Sequence, residues 1–319
     1  MSQLAELGID FIITSLITFA ILIFAIVYAP KFTEAHNLAS LITQVGILAP
    51  VGSGFFFLFL LGRADLSVGG ITSLSSIAVG VLALRGGGNL AIALLAGLAT
   101  GLICGLLNGV VIGVCSLPNR SRWFGLSISL LVTLVLYQAY VSLAFALAGN
   151  ALVLPRDQPL PAGITGQLGL FYVCDMLLVQ AILTCTPFGR LLYDGNTGNG
   201  NRGIRTVRIL RIVFFALTGL FAAVSGLLLT SYLGIVEPSA TTNWLYKLVA
   251  AAFIGCTTPI RGRGTLLTSL IGLFAISCFQ DALALMNVGM GIQTLVVALL
   301  ILLGLGIDVL RLGMEQSSQ

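Results

Sequence analysis

Ten apolar stretches, separated by short polar breaks, run through nearly the whole chain. A helix needs about 20 apolar residues to cross the hydrocarbon core of a membrane, and most of the stretches approach that length. The pattern therefore predicts about ten membrane helices. Their approximate bounds are residues 9–29, 39–62, 70–85, 89–115, 123–147, 164–185, 210–232, 245–258, 265–286 and 291–310.

The third and eighth stretches, 70–85 and 245–258, are shorter than the others. Transporters tend to place their substrates at short, glycine-interrupted membrane segments. These two stretches therefore predict half-helices, or helices that are strongly constrained by their neighbours.

The composition supports a membrane protein. Of the 319 residues, 58% are hydrophobic and 8% are charged, whereas a soluble domain carries about 25% charged residues. So few charges cannot cover a surface that faces water. No hydrophilic block is long enough to fold alone, so we expect an all-α, polytopic protein with a single transmembrane domain over residues 1–319. No soluble basic face exists to bind nucleic acid.

The basic residues are divided unevenly between the two ends of the predicted helices. The longest polar loop between spans, at about 189–211, carries five arginines. Loops rich in Lys and Arg stay in the cytoplasm, and placing this loop there puts eleven of the fifteen basic residues on the same side. We therefore expect both termini in the cytoplasm.

A polar break, Asp65-Leu66-Ser67-Val68-Gly69-Gly70, separates the second and third stretches. Polar and ionisable groups within the membrane are costly and tend to mark function. We expect Asp65 and Ser67 to shape a broken segment beside a transport pathway, with their oxygens capping the next helix. The arginine distribution moves this break towards the cytoplasmic side, which favours shaping an inner gate over direct binding of cargo.

Three more polar residues in the stretches are candidates for the same pathway or gate: Asn108, Gln280 and Asp281. Proton- or sodium-coupled carriers use acids such as Asp281, but Asp281 near a helix end also suits contact with water or a partner amide. Asn108 suits either lining a cavity or bridging two helices.

The fourth stretch carries five glycines, each four residues after the last. Positions four apart share one face of a helix, so this face is a smooth groove for close helix packing. We favour a packing partner within the chain over a second subunit. The glycines are Gly97, Gly101, Gly105, Gly109 and Gly113.

The sequence offers little for enzyme chemistry. It has no Gly-x-x-x-x-Gly-Lys-Ser/Thr phosphate-binding loop, a single histidine, and six cysteines without a Cys-x-x-Cys pair. We expect no catalytic residue, no metal site and no cofactor in this chain.

The loop Gly189–Arg211 is rich in glycine and asparagine up to Gly203, and we expect it to enter a helix near Ile204. Its arginines have two interpretations: they hold the loop in the cytoplasm, or they form a docking surface for a soluble partner.

Several ordered motifs resemble the permease subunits of bacterial ABC sugar importers of the ribose/galactose/autoinducer-2 type, over residues 40–310. Gly62-Arg63-Ala64-Asp65-Leu66-Ser67-Val68-Gly69 resembles the family's Gly-Gly-Ile-Asp-Leu-Ser-Val-Gly signature, with Arg63 in place of a glycine. Gly189-Arg190-Leu191-Leu192-Tyr193-Asp194-Gly195-Asn196 resembles its cytoplasmic Gly-Arg-x-x-Tyr-Ala-x-Gly-Gly-Asn segment. The stretches Leu217–Gly226 and Ile254–Gly264 are also similar to family patterns.

The resemblance implies a multi-pass protein of a bacterial inner membrane that imports a monosaccharide or a related small compound. It implies a second permease subunit, identical or different, a cytoplasmic ABC ATPase that holds ATP and magnesium, and a periplasmic or lipid-anchored sugar-binding protein, all assembled in membrane lipid. It also implies a coupling segment that receives the ATPase motion. The residues assigned to that segment are Gly189, Arg190, Tyr193, Asp194, Asn196 and Gly203.

Two alternatives remain open at this stage. One is an ABC permease for branched-chain amino acids or nucleosides. The other is an ion-coupled carrier that works alone, for which the sequence offers few acids.

Overall fold

The structure is a computed structural model that describes residues 2–85, 89–115, 122–149, 152–153, 174–175, 181, 204–257 and 264–317. The helices within these residues are α1 (Ser2–Tyr28), α2 (Ala35–Leu60), α3 (Val68–Arg85), α4 (Leu90–Cys115), α5 (Arg122–Ala148), α6 (Ile204–Leu233), α7 (Trp244–Ile254), α8 (Leu266–Leu285) and α9 (Met290–Ser317). Two short strands, β1 (Leu152–Val153) and β2 (Ile235–Val236), pair antiparallel.

These helices coincide with nine of the predicted stretches. The remaining stretch, 164–185, lies outside the described residues except at positions 174, 175 and 181. Seven of the described helices are long and apolar enough to cross a membrane. The other two, α3 and α7, are shorter apolar helices, as the lengths of the third and eighth stretches predict. The all-α, polytopic fold class is confirmed.

The second helix, α2, lies at the centre of the bundle. In its most apolar window 83% of the residues are buried, against 6% in the window of α9. Phe55 and Phe56 of α2 are fully buried together with Phe214 and Phe215 of α6. The exposed apolar side chains of α1, α4, α5 and α9 suit contact with lipid, because a bilayer removes the cost of exposing them.

The glycine ladder of α4 packs against α6 of the same chain. A Cβ atom added at Gly101 would collide with the carbonyl oxygen of Gly219, and one added at Gly109 would lie 2.7 Å from the Cα of Ile212. Only glycine lets the two backbones approach so closely. This contact fixes the height of α4 against α6, and therefore the position of Asn108.

The two short helices begin beside each other. The Thr241 hydroxyl, just before α7, donates to the carbonyl of Gly69 in the first turn of α3 at 2.8 Å. One turn further along α3, the Ser73 hydroxyl donates to the carbonyl of Pro238 at 2.8 Å. The loop between β2 and α7 therefore turns back to contact the start of α3, and these bonds satisfy its backbone groups.

Candidate functional site

The polar break between α2 and α3 runs along α5 as a non-helical segment. The backbone N–H of Ala64 donates to Ser129 Oγ at 3.4 Å, and that of Leu66 donates to Thr133 Oγ1 at 3.0 Å. Ser129 and Thr133 lie four residues apart, so they share one face of α5. That face supplies the hydrogen bonds that a non-helical backbone needs inside a membrane protein.

Asp65, Ser67, Asn108 and Tyr140 form one connected group of hydrogen bonds, here called the break cluster. Asp65 Oδ1 accepts from the backbone N–H of Ser67 at 2.8 Å and from the Ser67 hydroxyl at 2.6 Å. The Asn108 amide donates to Asp65 Oδ2 at 3.0 Å and to Ser67 Oγ at 2.7 Å. The Tyr140 hydroxyl donates to Asn108 Oδ1 at 2.7 Å. The cluster thus joins the break to α4 and α5.

The start of α3 differs in detail from the capping that the sequence suggests. Asp65 binds the N–H of Ser67, one residue before α3 begins at Val68. The Ser67 hydroxyl donates to Asp65 and accepts from Asn108. The carboxylate therefore closes a local turn of the kind that Asp favours, and this turn directs the chain into α3.

Burial dominates the electrostatics of the break. It raises the pKa of Asp65, and the hydrogen bonds from Ser67 and Asn108 oppose this shift. Arg63 is 7% exposed, and burial, followed by repulsion from Arg211, lowers its pKa to about 10. The Arg63 guanidinium lies against the backbone of Gly125, where an added Cβ would collide with it. Within the described part of the chain its Nη1 has no hydrogen-bond partner.

Asp281 and Gln280 lie on α8, apart from the break cluster. Asp281 Oδ2 accepts from Asn37 Nδ2 at 2.7 Å, and the same nitrogen donates to the carbonyl of Phe32 at 3.2 Å. Asp281 thus meets a partner amide and ties the turn between α1 and α2 to α8. Gln280 is half-buried beside it.

A cavity of about 310 Å³ lies between α2, α6 and α7. It is lined by Gln44 of α2, Tyr232 of α6, and Trp244 and Lys247 of α7. Sequence reasoning did not select these residues. The available signals were the short eighth stretch and a lysine within it.

The comparisons with known proteins decide the family. A model of the family described as "Branched-chain amino acid transport system / permease component" matches residues 37–305. The chain belongs to this permease family. No match to a solved structure reaches significance.

Three curated relatives of this permease carry names that describe sugar or autoinducer import. The ribose import permease protein RbsC of Bacillus subtilis is 30% identical over 299 residues, covering 91% of this chain and 90% of that protein. The fructose import permease protein FrcC of Rhizobium meliloti is 27% identical, covering 91% and 82%. The autoinducer 2 import system permease protein LsrC of Salmonella choleraesuis is 26% identical, covering 81% and 74%.

The residues predicted for coupling to an ATPase, from Gly189 to Gly203, lie outside the described residues. The helix expected near Ile204 is present as α6, which begins at that residue. Near its start Arg208 is exposed and Arg211 is half-buried. Of the residues predicted for a pathway or gate, Asp65, Ser67 and Asn108 lie together in the break cluster. Gln280 and Asp281 lie apart from it, on α8.

Proposed function

We propose that this permease is the membrane subunit of an ATP-driven importer of a monosaccharide or a related small sugar-like compound. The observation that carries the proposal is similarity along about nine-tenths of the chain to relatives named as ribose, fructose and arabinose permeases. The family description also names branched-chain amino acid transport, so amino-acid import is the second candidate.

The proposed assembly contains a second permease subunit, a cytoplasmic ABC ATPase with ATP and magnesium, and a sugar-binding protein on the other side of a bacterial inner membrane. The arginines near the start of α6 support a cytoplasmic position for that end. The ends of α1, α6 and α8 then face the binding protein, and cargo enters the bundle there.

The break cluster acts in this proposal as the support of an inner gate. Its four side chains are almost fully buried: Asp65, Ser67 and Asn108 have no exposed surface, and Tyr140 has 5%. Their polar atoms bind one another, so they hold the non-helical break in place and leave direct cargo contact to other residues.

The coupling loop, at about 189–211, receives the ATPase motion in this proposal. Reversing a charge with Arg190→Glu, or stiffening the loop with Asn196→Pro, is expected to leave the permease folded. Each variant should hydrolyse ATP without matching uptake. Normal coupled transport by both variants would remove the segment from this role.

Uptake into proteoliposomes tests the function as a whole. The complex is reconstituted with its ATPase and binding protein, and uptake of labelled ribose, fructose, arabinose and leucine is measured with and without ATP. ATP-dependent sugar uptake is expected. Uptake of leucine alone would favour the second candidate, and sugar uptake without any ATPase would overturn the ABC mechanism.

A further inference from the structure

The cavity between α2, α6 and α7 has the size and position of a binding site for one small molecule. Ligand pockets in proteins have volumes of about 300–1,000 Å³, and this cavity, at about 310 Å³, is at the small end of that range. It lies near the last turn of α6, whereas Arg208 and Arg211 lie near its first turn. The cavity is therefore on the side that the arginine distribution assigns to the exterior.

Two kinds of side chain line the cavity. Trp244 and Tyr232 provide aromatic surface, and Ile47 and Leu48, which are 2% and 3% exposed, close the side formed by α2. Gln44 and Lys247 provide hydrogen-bonding groups. Aromatic and apolar walls with a few placed polar groups are typical of small-molecule sites, and they suit a ring that has apolar faces and hydroxyls at its edge.

The polar side chains of the cavity make few hydrogen bonds within the protein. The Lys247 side chain makes no hydrogen bond or ion pair within the described residues. Gln44 is exposed, and its amide makes only a long donation of 3.3 Å to Ser40 Oγ. Gln44 lies about 14 Å along α2 from Ala35, at 1.5 Å per residue. A polar group at that depth is costly against lipid, so we expect this face to meet water or cargo.

The charge of the cavity favours a neutral ligand. Lys247 is attracted electrostatically by Asp281 of α8, although the two do not form an ion pair. An acid within electrostatic reach opposes the positive charge of Lys247, so the cavity does not require an anion to balance it. The Lys247 ammonium has three donors and keeps them available for neutral oxygens.

We propose that this cavity is the entry site for the cargo, and that it binds a neutral polyhydroxylated compound of monosaccharide size. The ring stacks on Trp244, while Lys247 and Gln44 hydrogen-bond to its hydroxyls. This assignment rests on the proposed function and adds to it the residues that select the cargo.

Fluorescence tests the site without transport. Trp123→Phe removes the only other tryptophan of the chain, so the emission of the full-length permease in lipid nanodiscs reports on Trp244. Titration with ribose, fructose and arabinose should produce a saturable change for at least one sugar. Lys247→Met should raise the Kd by about five- to tenfold, and Lys247→Arg by less. No change with any sugar, or a response to ribonate alone, would overturn the proposal.

Transport by the complete complex separates this proposal from the general function. Trp244→Ala should reduce ATP-dependent uptake about fivefold or more, since an aromatic contact commonly contributes that much. Tyr246→Ala is the matched control, because Tyr246 is the 47% exposed neighbour of Lys247 and does not line the cavity. If the wild type imports sugar and Trp244→Ala and Lys247→Met do so equally well, the site is wrong and the function stands. If the wild type imports no sugar, the function itself fails.

Discussion

The break cluster and the cavity are both polar regions within an apolar bundle, but their side chains differ in exposure and in how many hydrogen bonds they make within the protein. In the cluster, Asp65, Ser67 and Asn108 have no exposed surface and bind one another. In the cavity, the Lys247 side chain makes no hydrogen bond within the described residues, and Gln44 is exposed. A polar group whose bonds are all made within the protein stabilises one structure, whereas an unused group beside a cavity is available to a ligand.

This difference predicts that variants of the two regions fail in different ways. Substitutions in the cluster should lower stability first and transport as a consequence. Substitutions in the cavity should lower transport and leave stability nearly unchanged. Three of the four changes below test this separation, and Gly105→Ala tests the contact between α4 and α6 that positions Asn108.

Asp65→Ala should have the largest effect on stability. It removes the acceptor of the Ser67 N–H, the Ser67 hydroxyl and the Asn108 amide. Each buried group left without a partner costs about 1–3 kcal/mol, so the free energy of unfolding should fall by at least about 2 kcal/mol. Thermal unfolding in detergent measures this loss. Glu237→Ala, at an exposed acid, is the control, and equal Tm values for the two variants would refute a structural role of the cluster.

Gly105→Ala should destabilise the protein by displacing α4 from α6. The added Cβ would collide with the Phe215 carbonyl oxygen and lie 3.0 Å from the Cα of Ala216. Overpacking of this kind costs about 1–3 kcal/mol. Gly306→Ala is the control, because no atom lies within 4 Å of a Cβ at that position. A Tm for Gly105→Ala that matches the control would show that the backbones have room to separate.

Tyr140→Phe should have a smaller effect, because it removes a single hydroxyl. The hydroxyl donates to Asn108 Oδ1 and, at 3.2 Å, to the carbonyl of Cys104. Hydrogen bonds between membrane helices contribute about 0.6 kcal/mol on average, so we expect a loss of about 1 kcal/mol. A double-mutant cycle with Asn108→Ala measures the coupling. Additive losses in that cycle would mean that the two side chains do not act together.

Much of the fold follows from the sequence because the bilayer leaves few choices. Long apolar runs must be helical, and the short runs at 70–85 and 245–258 indicated α3 and α7. The spacing of the α4 glycines indicated a closely packed face, though it could not identify α6 as the partner. Which helices pack together is decided only in the folded chain. The hydrogen bond from Asn108 to Asp65 therefore could not be predicted from the sequence either.

The candidate site was less accessible to sequence reasoning. Asp65 and Ser67 stood out because they interrupt an apolar run. Such an interruption marks a costly polar group, but it does not distinguish a structural role from a functional one. Ser129 and Thr133 of α5 support the break, and their spacing of four residues was a usable signal. The cavity combines residues from α2, α6 and α7 that are far apart in sequence, and no local pattern joins them.

Gln44→Ala is the sharpest test of the comparison because its expected effect on stability is the smallest. Gln44 is exposed and its one amide donation, to Ser40, is long, so the free energy of unfolding should change by no more than about 0.5 kcal/mol. If Gln44 binds cargo hydroxyls, the KM for sugar uptake should nevertheless rise about threefold or more, as expected for one neutral hydrogen bond of about 0.5–1.5 kcal/mol. Measuring Tm and KM on the same preparation distinguishes the two regions. A lower Tm with an unchanged KM would show that Gln44 has a structural role, as the side chains of the break cluster do. The proposed difference between the cluster and the cavity would then be wrong for this residue.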